Sequence, residues 1–366
     1  MIATLLVGIA VAGAQSSPLD IIGYYGNSGD AVSSIPLLKD VHPNYNVIIL
    51  TFASLDSAGN VSLDIQGPYA KDHASLSADV VAWRKVPDAH GRRRRVLVSI
   101  GGQNGRWPAG LSSEAILSGV TAFLGRFSLD GLDIDLEGSA VSAATSLVPV
   151  VTKLVSRGVT VTAAPEAAQG PLVAYNHGLL KALSWVHPQF YNNGPNAVTT
   201  PYVPPASLWP TPWTVHNWQA ESAGHSFWAG VLAAIGDAAG LAPSQLGMLV
   251  PATPGAASSY NNWDIDLLRQ QVQAANVTHV GTWAIAYDHK QSWKLAETLG
   301  KLLSTASTHT TTSTTAAARA HECGASSVFD CLGYTDCRVC VNAMEGNDVC
   351  VTTEEAKGYA RCVTAW

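Results

Sequence analysis

Eight apolar, β-rich runs recur between residues 20 and 303, and the gaps between them leave room for helices. They are DIIGYYG (20–26), VIILTFASL (47–55), RVLVSIGG (95–102), GLDIDLE (131–137), GVTVTAAPE (158–166), WVHPQFYNN (185–193), LGMLVPATP (246–254) and HVGTWAIAYD (279–288). Helix-compatible segments lie between them, including ADVVAWRK (78–85), SEAILSGVTAFLGRF (113–127), AATSLVPVVTKLVSRG (143–158) and DIDLLRQQVQAAN (264–276). Strand and helix alternating this often predict an α/β chain. Eight such units in so short a span fit a closed (β/α)8 TIM barrel better than an open doubly wound sheet. No glycine-rich loop of the form GxGxxG or GxxxxGK[ST] follows a strand, which removes the usual nucleotide-binding alternatives.

The fourth run carries the chemistry. Successive side chains of a strand face opposite sides, so Leu132, Ile134 and Leu136 share one face while Asp133, Asp135 and Glu137 share the other. A barrel strand is buried on both faces, one against the outer helices and one in the interior. The acids then point inward, where an unpaired carboxylate is costly or titrates to neutrality. Three of them at the C-terminal half of one strand mark a site. A calcium loop is a poor competitor, because apolar residues alternate with the acids and no acid stands at the expected loop end. No metal and no cofactor is expected.

The rest of the chain sets the context. With 27 acidic and 21 basic residues the formal net charge is -6, the wrong sign for a nucleic-acid binder. The one basic run, Arg92 to Arg95, reads as a solvated loop, or else as a docking patch for an acidic partner. The N-terminal MIATLLVGIAVAGAQSS is too short to span a ~30 Å bilayer core, and its Ala12-Gly13-Ala14 suits signal-peptide cleavage after Ala14. Secretion is therefore expected, and no later stretch reads as a membrane span. All six cysteines fall between Cys323 and Cys362, after a Ser/Thr/Ala tract that reads as an exposed linker. The expected layout is a signal peptide (1–14), a catalytic barrel (15–303), a linker (304–320) and a Cys-rich module (321–366). That module is too small to hold a core without disulfides, whose pairing stays open, with half a zinc site at Cys337 and Cys340 as the alternative. Its Phe329, Tyr334, Tyr359 and Trp366 suit either a polysaccharide-binding surface or a sparse core. Asn60-Val61-Ser62 and Asn276-Val277-Thr278 are N-glycosylation sequons, the second expected at the rear of the barrel.

The stretch DGLDIDLE (130–137) resembles the DxxDxDxE signature of glycoside hydrolase family 18, the chitinases and related endo-β-N-acetylglucosaminidases. Three further places resemble the same family at the appropriate strands: Ser99-Ile100-Gly101-Gly102, Gln189-Phe190-Tyr191-Asn192-Asn193, and Trp283. The resemblance covers residues 20 to about 300 and leaves out the linker and tail. It implies Glu137 as the general acid, Asp135 as the group orienting the substrate's acetamido N–H, Asp133 as its partner below, and Tyr191 bonded to the acetamido carbonyl. The nucleophile is then the substrate's own acetamido oxygen, with retention at the anomeric carbon. Clustered carboxylates cannot all ionise, so the three acids are expected to share protons and titrate as a unit.

Around them the resemblance implies Trp283 as a floor under the sugar and Gln189 and Asn192 as polar contacts. Tyr24, Phe52, Gly102 and Glu166 fall at the same rim. It also implies cis peptides at Thr51–Phe52 and Trp283–Ala284. Processive relatives carry an insertion after the seventh strand, whereas only 24 residues separate Pro254 from His279 here, so an open groove and endo-type cutting are expected. The implied partner is chitin or an N-acetylglucosamine oligosaccharide, met by a monomer with no role for nucleic acid or membrane. The alternatives are an endo-β-N-acetylglucosaminidase acting on N-glycans and a chitin lectin on an inactive barrel, the latter disfavoured by an intact Glu137.

Overall fold

Each of the eight apolar runs contributes to one parallel sheet. In chain order the strands are β1 (Asp20–Tyr25), β2 (Val47–Leu55), β3 (Val61–Leu63), β4 (Arg95–Gly101), β5 (Gly131–Asp135), β6 (Thr160–Ala163), β7 (Trp185–Val186), β8 (Gly247–Pro251) and β9 (His279–Trp283). The sheet order is β7-β6-β5-β4-β2-β1-β9-β8, and β3 is an antiparallel extension paired to β2 alone. Parallel bridges Val186–Leu246 and Gln189–Leu249 bring the two ends of that order together, giving a nearly closed eight-stranded barrel. The computed structural model describes residues 19–108, 110–167, 172, 174, 175, 177–191, 232, 235, 236, 239–257, 265–275 and 277–307, together with three strands of a second unit. The proposed signal peptide, Asn192 and Asn276 lie outside these residues.

Local sequence explains the elements. β7 is only two residues long because Pro188, which follows His187, has no N–H to give the ladder. The chain continues in the sheet through separate bonds, His187 N–H to Ala163 O and Gln189 N–H to Pro165 O. The helices are α1 (His73–Lys85), α2 (Ser113–Phe127), α3 (Val148–Ser156), α4 (Leu179–Ala182), α5 (Ile265–Ala275), α6 (Ile285–Lys290) and α7 (Lys294–Ser307). Asp72 and Ser112 cap α1 and α2 by accepting from the Ser75 and Ala115 N–H groups. The segment expected as one helix from 143 divides: Gly138–Leu147 is a 3-10 turn and α3 begins only at Val148.

Two expectations are corrected by this packing. The run Arg92 to Arg95 is only in part the solvated loop expected: Arg93 keeps 69% of its side chain exposed, while Arg92, Arg94 and Arg95 are engaged by the fold. Arg92 pairs with Asp88 at 2.5 Å, Arg93 with Asp130 at 2.8 Å and Arg95 with Asp20 at 3.3 Å, while Arg94 lies over the Trp83 ring at 4.7 Å. Second, a stretch after the N-terminus is long and apolar enough to cross a membrane by length and composition: the continuous helical run Gly138–Ser156. Ala144, Leu147, Val150, Val151 and Leu154 of that run are buried in the barrel's core cluster.

The chain divides into two compact units, Met1–Ser307 and Thr308–Trp366. Because α7 runs to Ser307, the stretch read as linker begins four residues too early. In the second unit β10 (Cys337–Val341), β11 (Asp348–Thr352) and β12 (Cys362–Thr364) form an antiparallel sheet with β10 in the middle. Its register sets Cys340 opposite Cys362.

Candidate active site

The alternation in β5 is realised on both faces. Leu132, Ile134 and Leu136 are at most 3% exposed against the outer layer, worth about 2 kcal/mol each by apolar burial. On the interior face Asp133 is fully buried and Asp135 is 4% exposed, with Glu137 half-buried above them. The ladder of β5 ends at Asp135, whose carbonyl accepts the Gly102 N–H at 2.7 Å, and the next free donor, Leu136 N–H, is taken by the Tyr175 hydroxyl at 2.8 Å. Glu137 is thereby delivered to the C-terminal mouth of the barrel.

Asp133 is enclosed by side chains from β1, β4 and β6 and by His187, just past the end of β7. Its carboxylate accepts from Tyr24 (3.0 Å), Ser99 (2.7 Å) and Thr162 (2.5 Å), and His187 Nε2 stands 3.4 Å away. Burial alone would push this carboxyl up. The His187 hydrogen bond and charge, with the Thr162 and Ser99 hydroxyls, outweigh burial and hold it below its ordinary value. This corrects the expectation that all three acids share protons: Asp133 stays an anion at the base.

Protons are held above it. Burial, then the charges of Glu137 and Asp133, push Asp135 well above the usual carboxylate range, and burial pushes Glu137 up to about 7. One side chain ties these two together. Gln189 Nε2 donates to Asp135 Oδ1 at 2.8 Å and to Glu137 Oε1 at 3.3 Å, and is itself anchored on Ala164 O at 3.0 Å. Glu166, at the end of β6, is also raised by burial, and its charge lifts both partners of the pair. Tyr191 is 7% exposed beside them; burial and the charge of Asp135 raise its hydroxyl, so it remains a neutral donor.

The opposite rim is aromatic. Phe52 and Trp283 stack at 5.7 Å between centroids with 22° between planes, and Tyr24 meets Trp283 at 5.9 Å. The peptides Thr51–Phe52 and Trp283–Ala284 are both cis. Gly102, at φ +81°, lies where a Cβ would come within 2.7 Å of the Phe52 ring. Of the residues singled out from sequence, the structure brings Tyr24, Phe52, Gly102, Asp133, Asp135, Glu137, Glu166, Gln189, Tyr191 and Trp283 to one mouth; Asn192 lies outside the described residues. His187, Thr162 and Tyr175 were missed. The two-residue spacing from His187 to Gln189 and Tyr191 was a legible signal for His187 alone, since it puts His187 on the same interior face. Among the described residues no cluster of histidine, cysteine or carboxylate side chains could hold a metal ion.

Two grooves lie on the barrel unit. One, of about 400 Å³, is lined by Asp30 and Thr253 from the segments after β1 and β8 and by Tyr287 and Lys290 of α6. The other, of about 770 Å³, lies between the loop after β4 and the turn after Glu137.

Comparison with known proteins gives a consistent result. The family model described as Glycosyl hydrolases family 18 matches residues 20–318. "Chitinase D" of Niallia circulans is 28% identical over 206 residues, which is 48% of this chain and 38% of that protein. "Exochitinase 1" of Streptomyces olivaceoviridis is 31% identical over 144 residues, 38% of this chain and 24% of that protein. The match thus spans well under half the length of either relative. A solved family GH18 chitinase from Chromobacterium violaceum superposes with a TM-score of 0.61 at 22% identity, over 78% of this chain and 83% of that one, a likeness of fold.

Proposed function

The chain belongs to glycosyl hydrolases family 18, and from that premise we propose that it is a secreted, endo-acting chitinase. It would hydrolyse β-1,4 bonds between N-acetylglucosamine units with retention, using the substrate's acetamido group as nucleophile. The observation that carries this reading is the bridge of Gln189 across Asp135 and Glu137, above an Asp133 held as an anion. An ordinary retaining glycosidase places its second carboxylate across the anomeric carbon from the acid, about 5 Å away. Asp135 instead sits on the same strand face as Glu137 and is hydrogen-bonded to the same amide. It suits an acceptor for a substrate N–H better than an attacking group.

The steps follow from those positions. Glu137 gives its proton to the glycosidic oxygen as the bond from that oxygen to the anomeric carbon breaks. The acetamido carbonyl oxygen bonds to the anomeric carbon, forming an oxazolinium ring on the face opposite the leaving group. Asp135 accepts the acetamido N–H through its carboxyl oxygen, the Glu137 carboxylate left by proton transfer and the Asp133 anion offset the ring's positive charge, and the Tyr191 hydroxyl donates to the acetamido oxygen. Water, losing a proton to the Glu137 carboxylate, then opens the ring from the side the leaving group vacated. Trp283 with Phe52 presents an apolar surface for the C–H face of the sugar.

Secretion rests on the apolar N-terminus, and endo action on the short connection after β8. The decisive experiment compares the protein with Glu137→Gln on N-acetylglucosamine oligomers. Loss of the general acid should cost about 10² to 10⁴ in kcat; an equally active variant overturns the mechanism. Early products from a polymer test the cleavage mode: mixed lengths support endo cutting, and dimer alone from one end refutes it.

A further inference from the structure

Two columns of side chains face each other inside the barrel. On β5 and just beyond it stand Asp133, Asp135 and Glu137; just past β7, at the same two-residue spacing, stand His187, Gln189 and Tyr191. The columns are matched in depth: Gln189 bonds the upper two acids, and His187 meets Asp133 below them. Pro188 lies between the two, and the backbone is pinned on either side of it, by His187 N–H to Ala163 O at 3.0 Å and by Gln189 N–H to Pro165 O at 2.9 Å.

His187 is fully buried, yet its ring uses one nitrogen only. Nε2 lies 2.9 Å from the Tyr24 hydroxyl and 3.4 Å from Asp133 Oδ1, while Nδ1 is buried with no hydrogen-bond partner among the described residues. The Tyr24 hydroxyl gives its proton to Asp133 Oδ2 at 3.0 Å, so the proton between Tyr24 and His187 belongs to the ring. An apolar side chain would fill the same space without leaving a buried nitrogen unpaired, so packing does not account for this imidazole and the work of Nε2 does. Asp133 needs such a partner. Tyr24, Ser99 and Thr162 offer it neutral hydroxyls, and among these neighbours His187 alone is able to bring positive charge. The His187 hydrogen bond and charge outrank the hydroxyls in holding the carboxyl down against burial. The titratable groups facing His187 are Tyr24 of β1, Asp133 of β5 and His279 of β9. His279 stacks on Trp185 at 4.2 Å; burial, then the charges of His187 and Arg95, push it down to about 3, so it stays neutral and does not compete for the anion.

We propose that His187 is a positioning residue for the reaction: its Nε2–H keeps Asp133 ionised beneath Asp135 and Glu137, and so sets the pH below which the oxazolinium ring loses a buried counter-charge. His187 acts through Asp133 and touches none of the reacting atoms. The inference rests on the reading under Proposed function. Without the donor, the Asp133 carboxyl takes up a proton at higher pH, and the acid limb of kcat/KM moves up with it. Glu137 answers to burial, Gln189 and Glu166 instead, so the alkaline limb should move far less.

The test records kcat/KM against pH for the full chain on soluble N-acetylglucosamine oligomers. His187→Phe, which keeps a ring and loses the donor, should raise the acid limb by about one pH unit or more. His187→Gln restores a neutral N–H at similar reach and should recover about half of that shift. It carries the test if His187→Phe does not fold. Thr162→Val removes a lesser donor to the same carboxylate and should move the acid limb the same way by a smaller step. A histidine with only a structural role would lower the rate alike at every pH, and an acid limb that stays in place in the folded variants overturns the inference. A second readout needs no substrate. With isotope-labelled aspartate observed by NMR, the Asp133 carboxyl, identified by its loss in Asp133→Asn, should titrate at higher pH in the His187 variants than in the parent; an unchanged titration overturns the inference as well. A parent protein inactive on every oligomer overturns the substrate reading instead, and the carboxyl titration then decides whether His187 holds Asp133.

Discussion

Burial lifts Glu137 to about 7, the Gln189 amide opposes that rise, and the charge of Glu166 adds to it. The general acid must start protonated, so kcat/KM should fall as pH rises through about 7. Glu166→Gln removes a like charge and should move that alkaline limb to lower pH; a limb that stays in place, measured on soluble oligomers, would remove Glu166 from the balance. The same shift has a stability cost. A carboxyl whose folded value is raised binds more protons folded than unfolded, so stability falls as pH rises from about 4.5, its ordinary value, to about 7. Glu137→Gln, neutral throughout, should therefore melt higher than the parent at pH 8 and alike at pH 4; a gap of the same size at both would refute the linkage. The spacing of Asp133, Asp135 and Glu137 was legible in the sequence, but their proton states were not. Asp133 is set by Tyr24, Ser99, Thr162 and His187, and those residues come from β1, β4, β6 and the segment just past β7.

At the scale of elements, β4 and β5 approach so closely that glycine is required between them. Gly101 has φ +127°, and a Cβ there would lie 1.9 Å from Asp135 O. Gly101→Ala should cost about 2–4 kcal/mol and lower kcat as well, since the backbone that must give way carries Asp135. Thermal denaturation reads the first effect, and an unchanged melting temperature would refute the contact. The strand runs were legible because apolar β-branched residues cluster in them. The break of β7 at Pro188 follows from a missing donor. Residues 143–147 were read as the start of a helix running to 158, whereas they close the 3-10 turn Gly138–Leu147, whose apolar residues 138, 141, 144 and 147 recur every third position.

For the molecule as a whole, the proposed division between barrel and Cys-rich module makes a separable prediction. Deleting 308–366, which spares the whole of α7, should leave hydrolysis of soluble oligomers near the full chain's rate. It should depress hydrolysis of insoluble polymer if the module binds polysaccharide, and equal rates on both substrates would assign it another role. By itself the sequence determined the barrel, since eight strand-helix units admit few other closed arrangements, and it determined the acids' shared face, since strand alternation is local. Tertiary structure alone decided that Asp133 is a fixed anion, that Gln189 spans the proton-holding pair, and that Arg92, Arg94 and Arg95 are engaged by the fold. Those outcomes depend on contacts between residues far apart in the chain, and no local period encodes them.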